Sequence, residues 1–574
     1  MNASRSKSQS GAPTIQWLGA LFCLLATSCG KAEELPLSGV LITIDTTNTA
    51  CLDIYGTDRG LTPYLMALSK ESVVYDRAHT VAPITLPAHS SMMTGLYPLR
   101  HGVRENGLME LSGDAETLAE YALEAGFETA AFVSALVLSE FYGIGQGFEA
   151  FDEPALQPSK GMQGLSKRSA VITTDNAIAW LAERDEDRPF FLWVHYFDPH
   201  QPYDPPKKFV EKANGSLYRA EVAAMDEQIG RLLEALGEEV GLDELTLAVV
   251  ADHGESFGAH GEATHSVFCY EETMRVPFLL RFADGRRAGT RSDEIVSVVD
   301  LFPTFMSELG LGSASEVDGI NLAIVPVPAT RGVYLESYSG YINYGWSPLA
   351  GWLDAEGKYL HSSTREFYDL ANDPGELSNL LADGEVDTAS YTDSLEALSR
   401  LPRLTAGSGV TLSEEQIADL RALGYAGGGG SVQGLPDPLE PSDRPSPLDR
   451  TEQYGKFLRA MSMAKGGRNK IAIKLLNEIL EENPANVFAL ETLGSAYMGE
   501  ERFEEAIEAH ERLLAMGEDR YLARITLGTA YENLGQLEMG LKHYRRAEEL
   551  NSGNRGLTQA IKRIEAKIAA AAPR

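Results

Sequence analysis

The sequence predicts an α/β domain followed by an all-α repeat solenoid. Three observations predict it. GVLITIDTT (39–47), PFFLWVHYFDPHQPY (189–203) and LTLAVVADHGE (245–255) are apolar runs with polar groups just past them. Each reads as a buried strand whose carboxyl end carries chemistry, where open α/β sheets keep their ligands. TLPAHSSMMTG (85–95) reads as a short helix, with Thr85 as N-cap, Pro87 in the first turn and Gly95 as the stop. Last, Leu493, Gly494 and Tyr497 recur 34 residues later as Leu527, Gly528 and Tyr531. Such a period marks stacked helix-turn-helix units.

The chain has 574 residues, room for two or three domains, and a formal net charge of −34. That surface repels nucleic acid and anionic lipid headgroups, so no nucleic-acid partner is expected. An anionic substrate would need a local positive site, which a bound metal ion supplies.

The first residues read as an export leader. Arg5 and Lys7 precede an apolar stretch from Ile15 to Ala26, too short to span a bilayer comfortably. It ends in LLATSCGK, which resembles a bacterial lipobox with Cys29 as the acylated first mature residue. An ordinary cleaved signal or a membrane anchor is the alternative. Gly30 after Cys29 fits the outer-membrane sorting rule of Gram-negative bacteria. The expectation is a lipoprotein signal over residues 1–28, a tether over 29–38, and a protein attached to the membrane by its lipid. Cys51 and Cys269 are expected as two separate buried thiols.

A hydroxyl at a helix N-terminus faces unpaired N–H groups and the positive end of the macrodipole, a setting suited to a sulfate or phosphate ester. With the three strand ends and with LYPLRHGVRENG (96–107), HSVFCYEETMRVPFLLR (265–281), VSVVDLFPTFMSELG (296–310) and EFYDLANDPGELSNL (366–380), this stretch resembles the sulfatase family of the alkaline phosphatase superfamily. The resemblance covers residues 39–405 and implies an α/β, alkaline-phosphatase-like fold, with a mixed sheet flanked by helices and a small C-terminal α+β subdomain. It also implies one divalent metal held by Asp45, Thr85, Asp252 and His253. His200, in DPHQPY, matches the family's acid–base histidine, and His89 and His265 fall at substrate-binding positions. A carboxylate with an imidazole favours zinc or manganese, and calcium stays open.

The chain departs from the family at telling places. Sulfatases carry two adjacent aspartates where this chain has Asp45 and Thr46. Thr85 stands where they carry the cysteine or serine oxidised to formylglycine; oxidised threonine would be a ketone, so no formylglycine is expected. His89 replaces an arginine. In TAAFVSALVL (129–138), Ser134 and Leu136 stand where a lysine and a histidine hold the sulfate. His195 reads either as a group behind the ligands or as a core histidine, and His260 as shaping its loop.

Past residue 310, GVYLESYSGYINYGW (332–346) and the segments around Lys358 and Phe367 fit a short antiparallel sheet. Residues 406–448 read as a helix, SEEQIADLRALGYAGG, and an exposed linker rich in glycine, serine and proline. Residues 449–574 resemble tetratricopeptide repeats, about three units and a closing helix. Such repeats bind a protein or peptide partner, dock on the neighbouring domain, or self-associate.

The resulting expectation is an exported hydrolase of sulfuric or phosphoric/phosphonic esters, with Thr85 as direct nucleophile. One alternative is transfer of a phospho-group to a sugar or lipid. Enzymes of that kind usually carry several membrane helices ahead of the catalytic domain, which favours hydrolysis here. The other is a catalytically inactive scaffold with a protein-binding repeat domain.

Overall fold

The computed structural model describes residues 37–56, 59–107, 109–154, 168–314, 316–382, 384, 386–405, 407, 434–551 and 554–571. Cys29, the leader, most of the tether and the helix expected over 413–428 lie outside the described residues.

The apolar runs form the strands expected of them. β1 (Ser38–Ile44), β5 (Phe190–Tyr196) and β6 (Leu245–Ala251) are buried along their whole length. With β2 (Val73–His79), β3 (Glu128–Phe132), β4 (Ala150–Asp152), β7 (Phe278–Arg281) and β8 (Thr290–Ser297) they make a sheet ordered β4-β3-β5-β1-β6-β7-β2-β8. The pairs within it are parallel except those of β7, which runs against β6 and β2. The sheet is therefore mixed, with helices packed on it, among them Ala170–Glu183, against which the 23-residue helix Leu217–Glu239 packs in turn. Both sheet faces must be covered because continuous apolar strands leave no polar side.

The small subdomain follows as an antiparallel sheet, β12-β11-β10-β9, built from β9 (Val333–Ser337), β10 (Leu349–Leu353), β11 (Lys358–His361) and β12 (Arg365–Tyr368). Cys51 and Cys269 are both buried and free, as expected.

Among the described residues, the repeat stack consists of three helix pairs and a closing helix: Thr451–Lys465 with Asn469–Glu482, Val487–Gly499 with Phe503–Ala515, Tyr521–Asn533 with Leu537–Leu550, then Arg555–Ala571. The stack does not stand apart. Val267–Tyr270, Val333, Leu335, Tyr344 and Trp346 share one apolar core with Tyr454, Phe457, Leu476, Leu490 and their neighbours in the first two repeats. Tyr344 stacks on Trp346 and presents its ring to Tyr454, Phe457 and Phe488, with centroids 5.5–5.6 Å apart. Trp346 Nε1 donates to Gln453 Oε1 at 3.3 Å. Gly345 has φ 70°, and a side chain there would press within 2.6 Å of the Ala485 carbonyl oxygen. Of the roles open to the repeats from sequence, docking on the neighbouring domain is the one the structure displays.

Candidate active site

The site grows from strand register. Ile44 lies opposite Tyr196 on β5 and opposite Ala251 on β6. Asp45 and Asp252, the next residues, leave the sheet side by side at its carboxyl edge, both fully buried. Asp252 is oriented through Oδ1, which accepts the N–H groups of His253 at 2.8 Å and Thr46 at 3.1 Å. Thr46 achieves this with φ 43°, an uncommon backbone for a β-branched residue. Its hydroxyl is buried and makes no hydrogen bond. Gly254 follows His253 because a Cβ there would meet the Glu272 carbonyl oxygen at 2.1 Å. His253 Nδ1 donates to the Gly254 carbonyl at 3.0 Å, which directs the Nε2 lone pair toward the carboxylates.

Thr85 is the first residue of the Thr85–Thr94 helix rather than its cap. Ile84 holds the cap position, with extended backbone at φ −152° and ψ 150°. Capping is done from elsewhere: the Leu86 N–H donates to Asn106 Oδ1 at 2.8 Å. A threonine cap would have tied its hydroxyl to the first-turn N–H groups. Instead Thr85 Oγ1 lies 3.5 Å from His253 Nε2. Gly95 ends the helix in the left-handed region, as expected.

Ligand atoms of Asp45, Asp252 and His253 lie within 4.8 Å of one another. Asp252 Oδ2 accepts no hydrogen bond. Burial, with the Asp45 charge beside it, raises the Asp252 pKa. Two of the neighbouring imidazoles, His89 and His195, offer no compensating charge near neutral pH. Burial pushes His89 down to about 3 and His195 down to about 4. Two buried carboxylates side by side favour a bound cation, and this donor set of carboxylates, imidazole and hydroxyl fits a divalent metal.

The remaining histidines divide into two groups. His89 Nδ1 donates to the Thr85 carbonyl at 2.8 Å and lies 3.8 Å from Asp252 Oδ2. His195 Nε2 lies 3.4 Å from Asp45 Oδ2, with Nδ1 turned to the Ser134 N–H at 3.4 Å. His195 therefore stands behind a carboxylate, one of the two places open to it from sequence. Ser134 Oγ also donates to the His195 carbonyl at 2.7 Å. On the other side of His253, the His265 ring sits 4.5 Å away and the His200 ring 5.2 Å beyond that. His265 Nδ1 is 3.6 Å from Glu255 Oε1, and burial raises the Glu255 carboxyl to about 8. His260 stays out of this group; its Nε2 donates to the Gly375 carbonyl.

The structure thus gathers Asp45, Thr85, His89, His200, Asp252, His253 and His265 in one chain of contacts. Sequence reasoning missed Asn106, although it lies in the quoted LYPLRHGVRENG, and missed that Ser134 supports His195.

The family model for sulfatases matches residues 39–311. This domain belongs to the sulfatase family. A tetratricopeptide repeat model matches residues 522–554. The chain is 23% identical to the uncharacterized sulfatase YidJ of Escherichia coli, over 60% of this chain and 83% of that protein. It is 27% identical to an ulvan-active sulfatase of Formosa agariphila, over 61% of this chain and 78% of that protein. Its fold is like that of the phosphonate monoester hydrolase of Agrobacterium radiobacter, at TM-score 0.54 and 22% identity, over 63% of this chain and 95% of that one.

Proposed function

We propose that this protein hydrolyses sulfuric or phosphoric/phosphonic esters, with Thr85 as direct nucleophile beside one divalent metal held by Asp45, Thr85, Asp252 and His253. The observation that carries this reading is the Thr85 hydroxyl, released from capping and placed 3.5 Å from His253 Nε2 at a helix N-terminus. A bound divalent ion would supply the positive charge that lowers the threonine pKa and polarises an ester oxygen. Zinc or manganese suits the donors better than calcium.

The chain's own groups do the rest. The positive end of the helix dipole faces the anionic head, and His89 and His265 stand to bind its non-bridging oxygens. Thr85 Oγ attacks sulfur or phosphorus in line, and the alcohol departs with a proton. His200 Nδ1 is committed to the Gln201 carbonyl at 2.6 Å, so a proton moves through Nε2. Water then frees the acid from Thr85. A threonine ester is released readily at phosphorus and less so at sulfur, so phosphorus esters are at least as good substrates as sulfate.

The test compares nitrophenyl sulfate, phosphate, phosphodiester and phosphonate ester turnover by the metal-analysed protein and by Thr85→Ala. Turnover lost in Thr85→Ala, with stoichiometric metal lost in Asp252→Ala, supports the reading. Turnover only when an alcohol acceptor is supplied would point to transfer. Absence of both turnover and metal would point to the scaffold alternative, with the repeats binding a protein partner. Export and attachment to the outer membrane through Cys29 belong to the same proposal, and Cys29→Ala would then release the protein from membranes.

A further inference from the structure

A cavity of about 230 Å³ lies between the Thr264–Ser266 loop and the repeat stack. One wall belongs to the α/β domain and includes His265. The opposite wall comes from the first helix of the first repeat and the first helix of the second. Tyr454, Phe457, Leu458 and Met461 come from Thr451–Lys465, and Phe488 from Val487–Gly499. Tyr344 closes the space between the two walls. A conventional reading of these repeats gives their inner surface to a separate polypeptide. Here that surface already faces the neighbouring domain, and what remains of it is a chamber rich in aromatic rings, with Lys465, Glu491, Thr492 and Ser495 also on its lining, beside a histidine of the site.

Its position is fixed by the loop after His253. Thr451, at the start of the first repeat helix, packs against Gly261, where a Cβ would lie 3.1 Å from Thr451 Cβ. The same loop carries His265, whose ring stands 4.5 Å from that of His253. The cavity is therefore one imidazole away from the proposed metal centre. An ester with its anionic head at Thr85 must send its organic portion somewhere. The direction past His265 leads to aromatic rings, a leucine and a methionine.

We propose that the repeats build the leaving-group subsite of this active site, and that the cavity takes a flat, apolar, aromatic alcohol carried by the sulfate or phosphorus ester. This rests on the functional reading above. The volume suits one or two fused rings, since an apolar cavity of about 150 Å³ holds benzene. The lining suits them as well, because aromatic pairs favour tilted and edge-to-face contacts. The repeats thereby act as a specificity element of the enzyme rather than as a detachable adaptor.

The test uses the full metal-loaded chain in a Thr85→Ala background, so that esters bind without turnover. Calorimetry compares 2-naphthyl phosphate and 2-naphthyl sulfate with methyl phosphate and methyl sulfate. Met461→Trp, at a half-buried position, fills the cavity, and its melting curve confirms that the variant is folded. The naphthyl esters are expected to bind at least tenfold more tightly than the methyl esters. Met461→Trp is expected to remove that preference and leave methyl ester binding within twofold. The proposal is overturned if the naphthyl esters show no preference, if Met461→Trp leaves their affinity unchanged, or if it weakens both kinds of ester alike. No preference for naphthyl over methyl esters when Met461 is retained, with Thr85-dependent turnover intact in the parent enzyme, sinks the subsite alone. Met461-sensitive naphthyl binding in an enzyme whose turnover ignores Thr85 sinks the nucleophile alone.

Discussion

The side-chain amide of Asn483 donates to the backbone carbonyl of Tyr344 at 2.6 Å, joining the end of the first repeat to the α/β domain. Both partners are buried, so neither can turn to water when the other is lost. Asn483→Leu leaves the Tyr344 carbonyl unsatisfied and is expected to cost about 1–3 kcal/mol. Tyr344→Ala also empties the ring site among Tyr454, Phe457 and Phe488 and is expected to cost about 3–5 kcal/mol. Urea unfolding of the full chain checks both. A shared core further predicts that the α/β domain and the first two repeats unfold in one transition.

Asn106 is expected to control the nucleophile without touching substrate. It accepts the Leu86 N–H and fixes the turn on which Thr85 stands. Asn106→Leu removes that cap, at a stability cost of about 1 kcal/mol. A displacement of Thr85 by a fraction of an ångström is expected to lower kcat roughly 10–100-fold with a smaller effect on KM. Steady-state kinetics with a nitrophenyl ester separates the two, and an unchanged kcat would mean that the cap is only structural.

His195 is expected to tune metal affinity from behind Asp45. Groups that orient a ligand carboxylate typically contribute about 10–100-fold in affinity. His195→Ala should therefore weaken metal retention by that factor, measured by competition with a chelator. Equal retention in both proteins would return His195 to the role of a core histidine.

Glu262 carries a pH signature. It is buried, with the Val267 N–H donating to Oε1 at 2.8 Å, and burial raises its carboxyl to about 8. The folded state then holds a proton that the unfolded chain releases above about pH 4.5. Stability from this group is full below that pH and falls as the pH rises toward 8. Glu262→Gln, which keeps the carbonyl acceptor, should match the parent protein near pH 4.5. At pH 8 it should be the more stable of the two, by up to about 4 kcal/mol. Thermal melts across this range read the difference, and a gap that stays constant with pH would contradict the account.

Much of the fold was legible in the chain because its strands are buried on both faces and announce themselves as unbroken apolar runs. The register that sets Asp45 beside Asp252 follows once those strands are neighbours. The 34-residue period likewise fixed the repeat helices. Other features depend on partners far away in sequence. Thr85 has the composition of a cap, yet Asn106, twenty-one residues on, takes that role. Ser134 looked only like a lost lysine, while its use is to hold His195 from an adjacent strand. The docking of the repeats rests on Tyr344 meeting Phe457 and Phe488 across more than a hundred residues, which no local pattern encodes.

The central claim is that Thr85 forms a covalent ester during turnover. Its most direct measurement is rapid acid quenching of the metal-loaded protein with excess nitrophenyl phosphate or sulfate, followed by mass spectrometry of the peptide containing residues 85–95. The account predicts a phospho or sulfo group on Thr85 during steady turnover, absent without substrate and absent from Thr85→Ala together with activity. Turnover by Thr85→Ala at the parent rate, with no adduct on this peptide in either protein, would contradict it.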